Sequence, residues 1–544
     1  MDKRSILALV LIAVVIVGGQ LLMPRTTQPP EALADSAQFR PDSHPAASTI
    51  APARAPVVTP RVPSIPATRA ETLSVVGANR VIQFATNGAG PIAVSLPEYP
   101  DLKRRDGALR IVANRGPLLR FRIAGARDTV SFDTLSFVAS PGPSAITFTA
   151  PQGIAVQYDL MPGQYLTRTT ITSRDARPGD KLLIDLAQDL RSGEADTTED
   201  LRHLAYGYRQ TKGSVESVFL QKLDTTSTVT EPGPIDWAAI RNKYFALVAI
   251  SPDTIHGFAQ VAMRGGHRRL DGFPTGIAVI TAPIETGRAS FDLYTGPQSW
   301  YALRSVGHEL ININPYAGWA WLRPVVQPFA TIVMRLLLGL KNSLSLSYGW
   351  VLVIFGIVIR VVLWPLNQSA MRTSIKMQRL QPELTAIQKR YAKDPEAQRT
   401  AMVKLYQAHG MSPFSPLMGC LPMLLPMPVL FALYFVFQNT IEFRGVHFLW
   451  LPDISLRDPY YITPLLMGVS MLVLSWIGMR TAPPNPQAKI MGYMMPAMFT
   501  IMFMNFASGL NLYYAVQNLV AIPQQWLLTR ERAKANQLPT KPPR

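Results

Sequence analysis

The stretch YGWVLVIFGIVIRVVLWPL, residues 348–366, is apolar along its whole length except for one charged side chain, Arg360. A helix needs about 20 mainly apolar residues to cross the hydrocarbon core of a bilayer, so this stretch predicts a transmembrane span. A charge inside a span costs roughly 2.5–3.5 kcal/mol on insertion scales. Arg360 therefore either reaches the aqueous boundary, about 9 Å away at the Leu366 end of the helix, or faces a polar cavity. The spacing alone allows both arrangements.

Other uncharged apolar stretches predict further spans. The longest runs from Ile490 to Thr529, about twice the length of one span, and should fold back at Ala507-Ser508-Gly509. We interpret the N-terminal apolar segment as an uncleaved anchor, because it is longer than the apolar region of a signal peptide. The sequence thus predicts six transmembrane helices, at residues 1–23, 348–366, 418–438, 460–478, 490–506 and 510–528.

The composition agrees with a membrane protein. Of the 544 residues, 48% are hydrophobic and only 16% are charged, with a formal net charge of +18. The one cysteine, Cys420, excludes an intramolecular disulfide and a metal–thiolate cluster. The sequence has neither the GxxxxGK(S/T) motif of nucleotide-binding loops nor the HExxH motif of zinc proteases, and its five C-terminal spans contain no acidic residue or histidine. We therefore expect no catalytic residue, no metal, no cofactor and no enzymatic activity.

Between the anchor and the other spans the composition changes twice. Residues 24–69 form a Pro-rich linker that cannot bury enough apolar surface to fold. Residues 70–316 contain short stretches of alternating polarity, rich in β-branched and aromatic residues, which predict one large antiparallel β-sandwich domain. The clearest of these stretches are AITFTA at 145–150, QYLTRTTIT at 164–172, KYFALVAIS at 243–251 and ASFDLYTG at 289–296.

Two segments predict helices outside the spans. Residues 317–341 mix aromatic and basic side chains, which favours an amphipathic helix lying in the membrane interface; a buried helix of the β domain is the alternative. Residues 367–411 contain an apolar stripe at helical spacing. Asp394 then offers a helix N-cap, followed by Pro395 at the first helical position. The segment is thus predicted to be a helical hairpin with one basic face.

The charges of the loops orient the chain, because Lys and Arg accumulate on the cytoplasmic side. The hairpin, the loop at 480–489 and the tail at 530–544 are basic, whereas the loop at 439–459 balances its arginines with acidic residues. This pattern predicts a multi-pass membrane protein with a helical core at 342–529. Both termini are predicted to be cytoplasmic, and residues 24–345 lie mostly on the opposite side.

The last span carries polar residues beside two aromatic ones. Asn511, Gln517 and Asn518 lie close in sequence to Tyr513 and Tyr514. Together they can supply polar walls for a cavity that receives the arginine of the first core span. Singly, each is also explained by a hydrogen bond between packed helices.

Five stretches of the C-terminal half carry a family resemblance. They are IRVVLWPL (359–366), KMQRLQPEL (376–384), SPLMGCLPMLLPMPVLFALY (415–434), LPDISLRDPYYITPLLMG (451–468) and ASGLNLYYAVQNLVAIPQQ (507–525). These stretches closely resemble the YidC membrane-protein insertases, over roughly residues 317–530. The N-terminal anchor and the external β domain resemble, in layout, the form of this family that has a large periplasmic domain.

The resemblance implies a hydrophilic groove that opens to the cytoplasm and to lipid and is closed toward the periplasm. It assigns Arg360 as the groove arginine and Tyr513 and Tyr514 as the paired aromatic residues of the last helix, and it implies that the external domain is a β-supersandwich. One departure is Gly356, where relatives often carry a hydroxyl residue.

The function implied by the resemblance is insertion of nascent hydrophobic segments into the bacterial inner membrane. The implied partners are nascent membrane proteins, the ribosome, the Sec translocon, the signal recognition particle pathway and the lipid bilayer. Two other functions agree with parts of the sequence. A secondary transporter or channel for an anionic solute would also use Arg360, but such proteins usually contain internal repeats, and we find none. A carbohydrate-binding protein would use the β domain and would need carboxylates and aromatic residues in one pocket.

Overall fold

The computed structural model describes residues 71–314 except 127, 254 and 270, and residues 323–362, 364, 368, 380, 383–392, 394–408, 427–480 and 486–537. The predicted anchor at 1–23, the linker at 24–69, Cys420 and the start of the span at 418–438 lie outside the described residues. The start of the predicted interfacial helix, much of the first half of the hairpin and the end of the basic tail also lie outside them.

The first half of the described chain consists of strands. They are β1 Thr72–Val76, β2 Val81–Ala85, β3 Pro91–Pro100, β4 Ala108–Val112, β5 Leu119–Ala124, β6 Thr129–Ser131, β7 Val138–Pro141, β8 Ala145–Thr149, β9 Ile154–Leu160, β10 Leu166–Ser173, β11 Lys181–Leu186, β12 Ala205–Gln210, β13 Val215–Phe219, β14 Val229–Arg241, β15 Phe245–Ile250, β16 Phe258–Gly265, β17 Gly276–Pro283 and β18 Arg288–Pro297. Strands β1 to β4 form one sheet in sequential order. A 14-stranded sheet runs in the order β6-β5-β11-β17-β16-β14-β15-β18-β10-β9-β8-β7, with β12 joining β14 and β13 joining β12.

The two sheets share one large apolar core, and a second, smaller apolar cluster that includes Trp237 packs against the large sheet. Along β9, buried residues alternate with residues that are less buried, as expected for a strand with one face on a core. Phe84 of β2 and Tyr158 of β9 bring the two sheets together, with ring centroids 4.5 Å apart. Within the large sheet, Phe121 of β5 reaches Phe291 of β18 at 6.2 Å. The predicted β-sandwich is confirmed, and the four stretches that predicted it form β8, β10, β15 and β18.

The rest of the described chain is helical. Two short helices, α1 Thr197–Arg202 and α2 Trp300–Val306, belong to the β domain. The others are α3 Arg323–Leu344, α4 Tyr348–Val362, α5 Pro395–Ala408, α6 Met427–Asn439, α7 Ile462–Met479, α8 Pro486–Phe503 and α9 Ser508–Gln537. Residues 383–390 are also helical. As the sequence pattern predicts, the Asp394 carboxylate caps α5, accepting hydrogen bonds from the backbone N–H groups of Glu396 and Ala397 at 3.1 and 3.0 Å.

Length and composition single out few of these helices as membrane spans. Among the described residues, α7 is long and apolar enough to cross a membrane alone, and α3 and α4 qualify together as a pair bent by 118°. The apolar parts of α6 and α8 are shorter. The count of six spans therefore stays a prediction.

A break between two helices, at residues 504–507, lies next to the fold-back predicted at Ala507-Ser508-Gly509. Helix α8 ends at Phe503 and α9 begins at Ser508, and the turn is held by the loop before α7. The Ser508 N–H donates to the Leu456 carbonyl at 2.7 Å, and the Gly509 N–H donates to the Ile454 carbonyl at 2.9 Å. These bonds satisfy backbone groups at the start of α9 that a helix cannot satisfy internally. The first turn of α9 is thus joined to the loop at 439–459.

Candidate functional site

Gly356 on α4 allows the last helix to approach closely. A Cβ at this position would lie 3.1 Å from Cγ1 of Val516 on α9. The short separation lets the Gln517 side chain reach across, and its Nε2 donates to the Gly356 carbonyl at 3.0 Å. The same nitrogen donates to the Tyr513 hydroxyl at 2.9 Å. Gly356, where the family often has a hydroxyl residue, therefore lies at the contact between α4 and α9.

Arg360 lies one helical turn beyond Gly356 and is partly buried. Its Nε is closed to solvent and has no hydrogen-bond partner within the described part of the chain. No carboxylate of the described residues forms an ion pair with it. Tyr513 of α9 is close enough to interact with it electrostatically. The charge of Arg360 is therefore not neutralised by the described residues.

The paired tyrosines differ in their surroundings. Tyr513 is buried and packs on Phe355 of α4 and Phe437 of α6, with ring centroids 5.7 and 6.0 Å away. Tyr514 faces α8, where its ring stands edge-on to Phe503 at 5.7 Å. Its hydroxyl is buried without a hydrogen-bond partner among the residues that the structure describes. Each tyrosine therefore has a different helix as its neighbour.

The other two predicted residues, Asn511 and Asn518, lie on the same face of α9 as Tyr514. The Asn511 side chain donates from Nδ2 to the Phe503 carbonyl at 3.0 Å, and its Oδ1 is buried and unpaired among the described residues. Asn518 donates from Nδ2 to the Ser470 hydroxyl on α7 at 3.1 Å. Because residues three and four apart share a helix face, these contacts form one stripe toward α7 and α8.

The structure thus brings Arg360, Tyr513 and Gln517 together, and it separates them from Asn511, Tyr514 and Asn518. Sequence reasoning missed Gln524, which is seven residues after Gln517 on the same face of α9. Its side chain is 3% exposed, donates to the Trp364 carbonyl at 3.4 Å, and leaves its Oε1 unpaired among the described residues. The spacing of seven was the signal that could have identified it.

Comparison with known proteins covers both halves of the chain. The family described as 60Kd inner membrane protein matches residues 339–536, and the YidC periplasmic domain matches residues 82–332. The membrane protein insertase YidC of Chlorobaculum tepidum is 26% identical, over 96% of this chain and 94% of its own length. That of Dechloromonas aromatica is 36% identical, over 56% of this chain and 54% of its own length.

A solved structure described as an active YidC insertase with its first transmembrane domain resolved aligns over 84% of this chain and 93% of its own. Its identity is 18% and its TM-score is 0.34. The two family matches together extend from the β domain to the end of the helical core, and the insertase of Chlorobaculum tepidum matches nearly end to end. The chain is a member of the YidC membrane protein insertase family, in the form that carries a periplasmic domain.

Proposed function

We propose that the chain moves nascent hydrophobic segments from the cytoplasm into the inner membrane through a hydrophilic groove beside Arg360, alone or with the Sec translocon. The observation that carries the proposal is the unneutralised charge of Arg360, whose buried Nε has no partner among the described residues. Intramembrane charges are costly, and they face a partner or a water-filled cavity. An acidic flank of a client segment would supply the missing counter-charge.

The groove wall in this proposal has two parts. Arg360, Tyr513 and Gln517 form the part that meets the hydrophilic flank. The Gln517 side chain joins the Tyr513 hydroxyl to the Gly356 carbonyl across α4 and α9, one helical turn before Arg360. The stripe of Asn511, Tyr514 and Asn518 extends the wall toward α7 and α8, where two buried polar atoms lack partners among the described residues. Unpaired polar atoms of this kind are expected where water or a client enters.

The free energy comes from burial of the client. Moving one large aliphatic or aromatic side chain out of water is worth about 1.5–3 kcal/mol, and a spanning segment has about 20 mainly apolar residues. The free energy gained by burying all the apolar side chains of the segment exceeds the cost of passing a short polar flank across a hydrated groove. Insertion by this route therefore requires neither a nucleotide nor an enzymatic step.

The proposal includes six spans, cytoplasmic termini and an interfacial α3. If α4 crosses the bilayer, the 118° bend between α3 and α4 leaves α3 closer to the membrane plane than to the membrane normal. Its outer face exposes Phe329, Ile332 and Leu336, which suits contact with acyl chains. The cytoplasmic hairpin that contains α5 receives clients from the ribosome or the signal recognition particle pathway.

Site-specific photo-crosslinking to stalled nascent chains tests the proposal. A crosslinker at Gln517, on the α4 side of α9, should capture a client whose first hydrophobic segment is entering the membrane. The matched control is Val469, which is 56% exposed on α7. Stronger crosslinking from Val469 than from Gln517 would place the client on the lipid-facing surface and contradict the groove.

A further inference from the structure

A polar cavity lies where the β domain meets the end of α6. Its volume is about 230 Å³. The β domain contributes Phe219, Lys222 and Arg241, helix α3 contributes Arg323, and helix α6 contributes Tyr434 and Phe435. The cavity is thus bounded on one side by charged residues of a water-exposed domain and on the other by a helix of the membrane core.

Arg241 lacks the partners that a buried charge requires. It is 1% exposed at the end of β14. Its Nη1 reaches only the Asn242 carbonyl and the Asn314 side chain, both at 3.5 Å, and its Nε has no partner in the described ranges. Burial lowers the pKa of Arg241 to about 10, so the group still carries its charge at neutral pH. A buried charge without a counter-charge is strongly destabilising.

The other charges around the cavity are mainly positive. Lys222 is exposed at the margin and forms no ion pair among the described residues. Arg323 has a buried Nε without a partner in that part of the chain, but its Nη1 lies 3.4 Å from the Glu216 carboxylate, so this charge is already paired. Glu199 is the opposing charge, but its carboxylate is engaged by the Gln438 side chain at 2.7 Å and by Arg202 at 3.5 Å. Burial lowers the pKa of His203 to about 4, so the ring adds no charge. The cavity therefore favours an anion.

The apolar side of the cavity indicates what kind of anion it takes. Phe219 lies under the guanidinium of Arg241, with 5.7 Å between Cζ and the ring centroid. Tyr434 and Phe435 continue the wall along α6, toward the hydrocarbon region that this helix enters. We propose that the cavity binds the phosphate headgroup of an anionic phospholipid, in the leaflet on the side of the β domain, with Arg241 as the phosphate ligand and an acyl chain along Tyr434 and Phe435.

Lipid titration of the full-length protein in detergent tests this site. Thermal unfolding is followed while dioctanoyl phosphatidylglycerol, dioctanoyl phosphatidylcholine or inorganic phosphate is added. Phosphatidylglycerol should raise the unfolding temperature saturably, and phosphatidylcholine should not. Arg241→Gln should weaken the apparent affinity about tenfold or more, since a charge-assisted hydrogen bond is lost. The matched control Arg174→Gln, at an exposed arginine that does not line the cavity, should leave it unchanged.

Lys222→Glu keeps the test decisive if Arg241→Gln does not fold. Lys222 is exposed, so its replacement should be tolerated, and the new negative charge should weaken phosphatidylglycerol binding. Equal stabilisation by phosphatidylglycerol and phosphatidylcholine would overturn the proposal, as would unchanged affinity in both cavity variants. If inorganic phosphate raised the unfolding temperature as much as phosphatidylglycerol does, the site would bind free phosphate, and the proposal of a lipid ligand would be wrong.

Discussion

The guanidinium of Arg444 lies 2.8 Å from the carboxylate of Glu194, and both side chains are closed to water, with exposed fractions of 2% and 6%. Arg444 belongs to the loop between α6 and α7, and Glu194 belongs to the β domain. Arg444 also donates to the Pro100 carbonyl at 2.9 Å and lies over the ring of Phe245. The β domain is therefore packed on the helical core through a buried ion pair.

We expect Glu194→Ala to destabilise the protein by about 3–5 kcal/mol, because it leaves the Arg444 charge buried and unpaired. Replacing both residues by methionine should recover much of this loss, since no charge then remains buried. Guanidinium unfolding of the full-length protein measures both effects. Arg168→Ala is the matched control, because Arg168 is 51% exposed in its pair with Asp292, and such a pair should contribute about 1 kcal/mol or less. A loss from Glu194→Ala as small as that of the control would contradict this description.

A second ion pair predicts a pH dependence. His308 Nδ1 lies 2.8 Å from the Asp236 carboxylate, and this hydrogen bond raises the pKa of His308 above its ordinary value, with partial burial opposing it. The folded-state pKa thus exceeds the unfolded value of about 6.5. The protonated ring stabilises the fold fully below about pH 6.5, and the contribution is lost as the pH rises through the raised pKa.

His308→Gln should therefore lower the free energy of unfolding more at about pH 6 than at about pH 8. Chemical unfolding at the two pH values measures the difference, with the exposed His267→Gln as the control. Equal losses at both pH values would show that the Asp236 hydrogen bond does not depend on the charge of the ring.

The approach of α9 to Gly356 predicts a position that does not tolerate a side chain. Gly356→Leu should separate α4 from α9, break the bond between Gln517 and the Gly356 carbonyl, and cost about 1–3 kcal/mol. Gly339→Leu on α3 is the matched control, since a Cβ there meets nothing within 4 Å. Thermal unfolding and insertion should both be impaired only in the first variant. Normal insertion by a folded Gly356→Leu protein would show that this helix contact is not needed.

The predicted orientation can be tested with exposed residues from each side. In a Cys420→Ser background, single cysteines replace Ser140 in the β domain and Ala386 in the hairpin, both of which are exposed. An impermeant thiol reagent applied to intact spheroplasts should label only the Ser140 position. Labelling should reach Ala386 only after the membrane is permeabilised, and labelling of Ala386 in intact spheroplasts would reverse the orientation.

The sequence predicted the features that short segments determine. Strand alternation predicted the β domain, the Asp394-Pro395 pair predicted the start of α5, and residues 507–509 predicted the turn between α8 and α9. Each depends on residues that are near neighbours in the chain.

Contacts between distant residues could not be predicted in this way. In the sequence, Arg444 contributed only to the charge balance of the loop at 439–459. Its ion pair could not be predicted, because its partner Glu194 is 250 positions away. The role of Gln517 depends on a backbone carbonyl of Gly356, and a carbonyl has no sequence signature. The sequence therefore grouped Arg360 and five residues of α9 into one candidate site, whereas the structure divides those five between two faces of α9.

The central claim concerns the charge of Arg360, and a matched pair of clients tests it. Arg360→Ala and Arg360→Lys are reconstituted in liposomes at equal protein level and given clients that differ only in an acidic or a neutral translocated flank. Arg480→Ala is the control, because that arginine stacks on Trp476 at the end of α7, with 3.6 Å between Cζ and the ring centroid.

Insertion of the two clients by Arg360→Ala is the most direct measurement. We expect the variant to fold and to insert the acidic-flank client about tenfold less, which corresponds to about 1.4 kcal/mol of lost attraction. The neutral-flank client should be affected much less. Arg360→Lys should retain partial function, since it keeps the charge and loses the planar guanidinium. Equal insertion of both clients by Arg360→Ala would contradict the groove-charge mechanism and leave Arg360 as a residue that reaches the aqueous boundary.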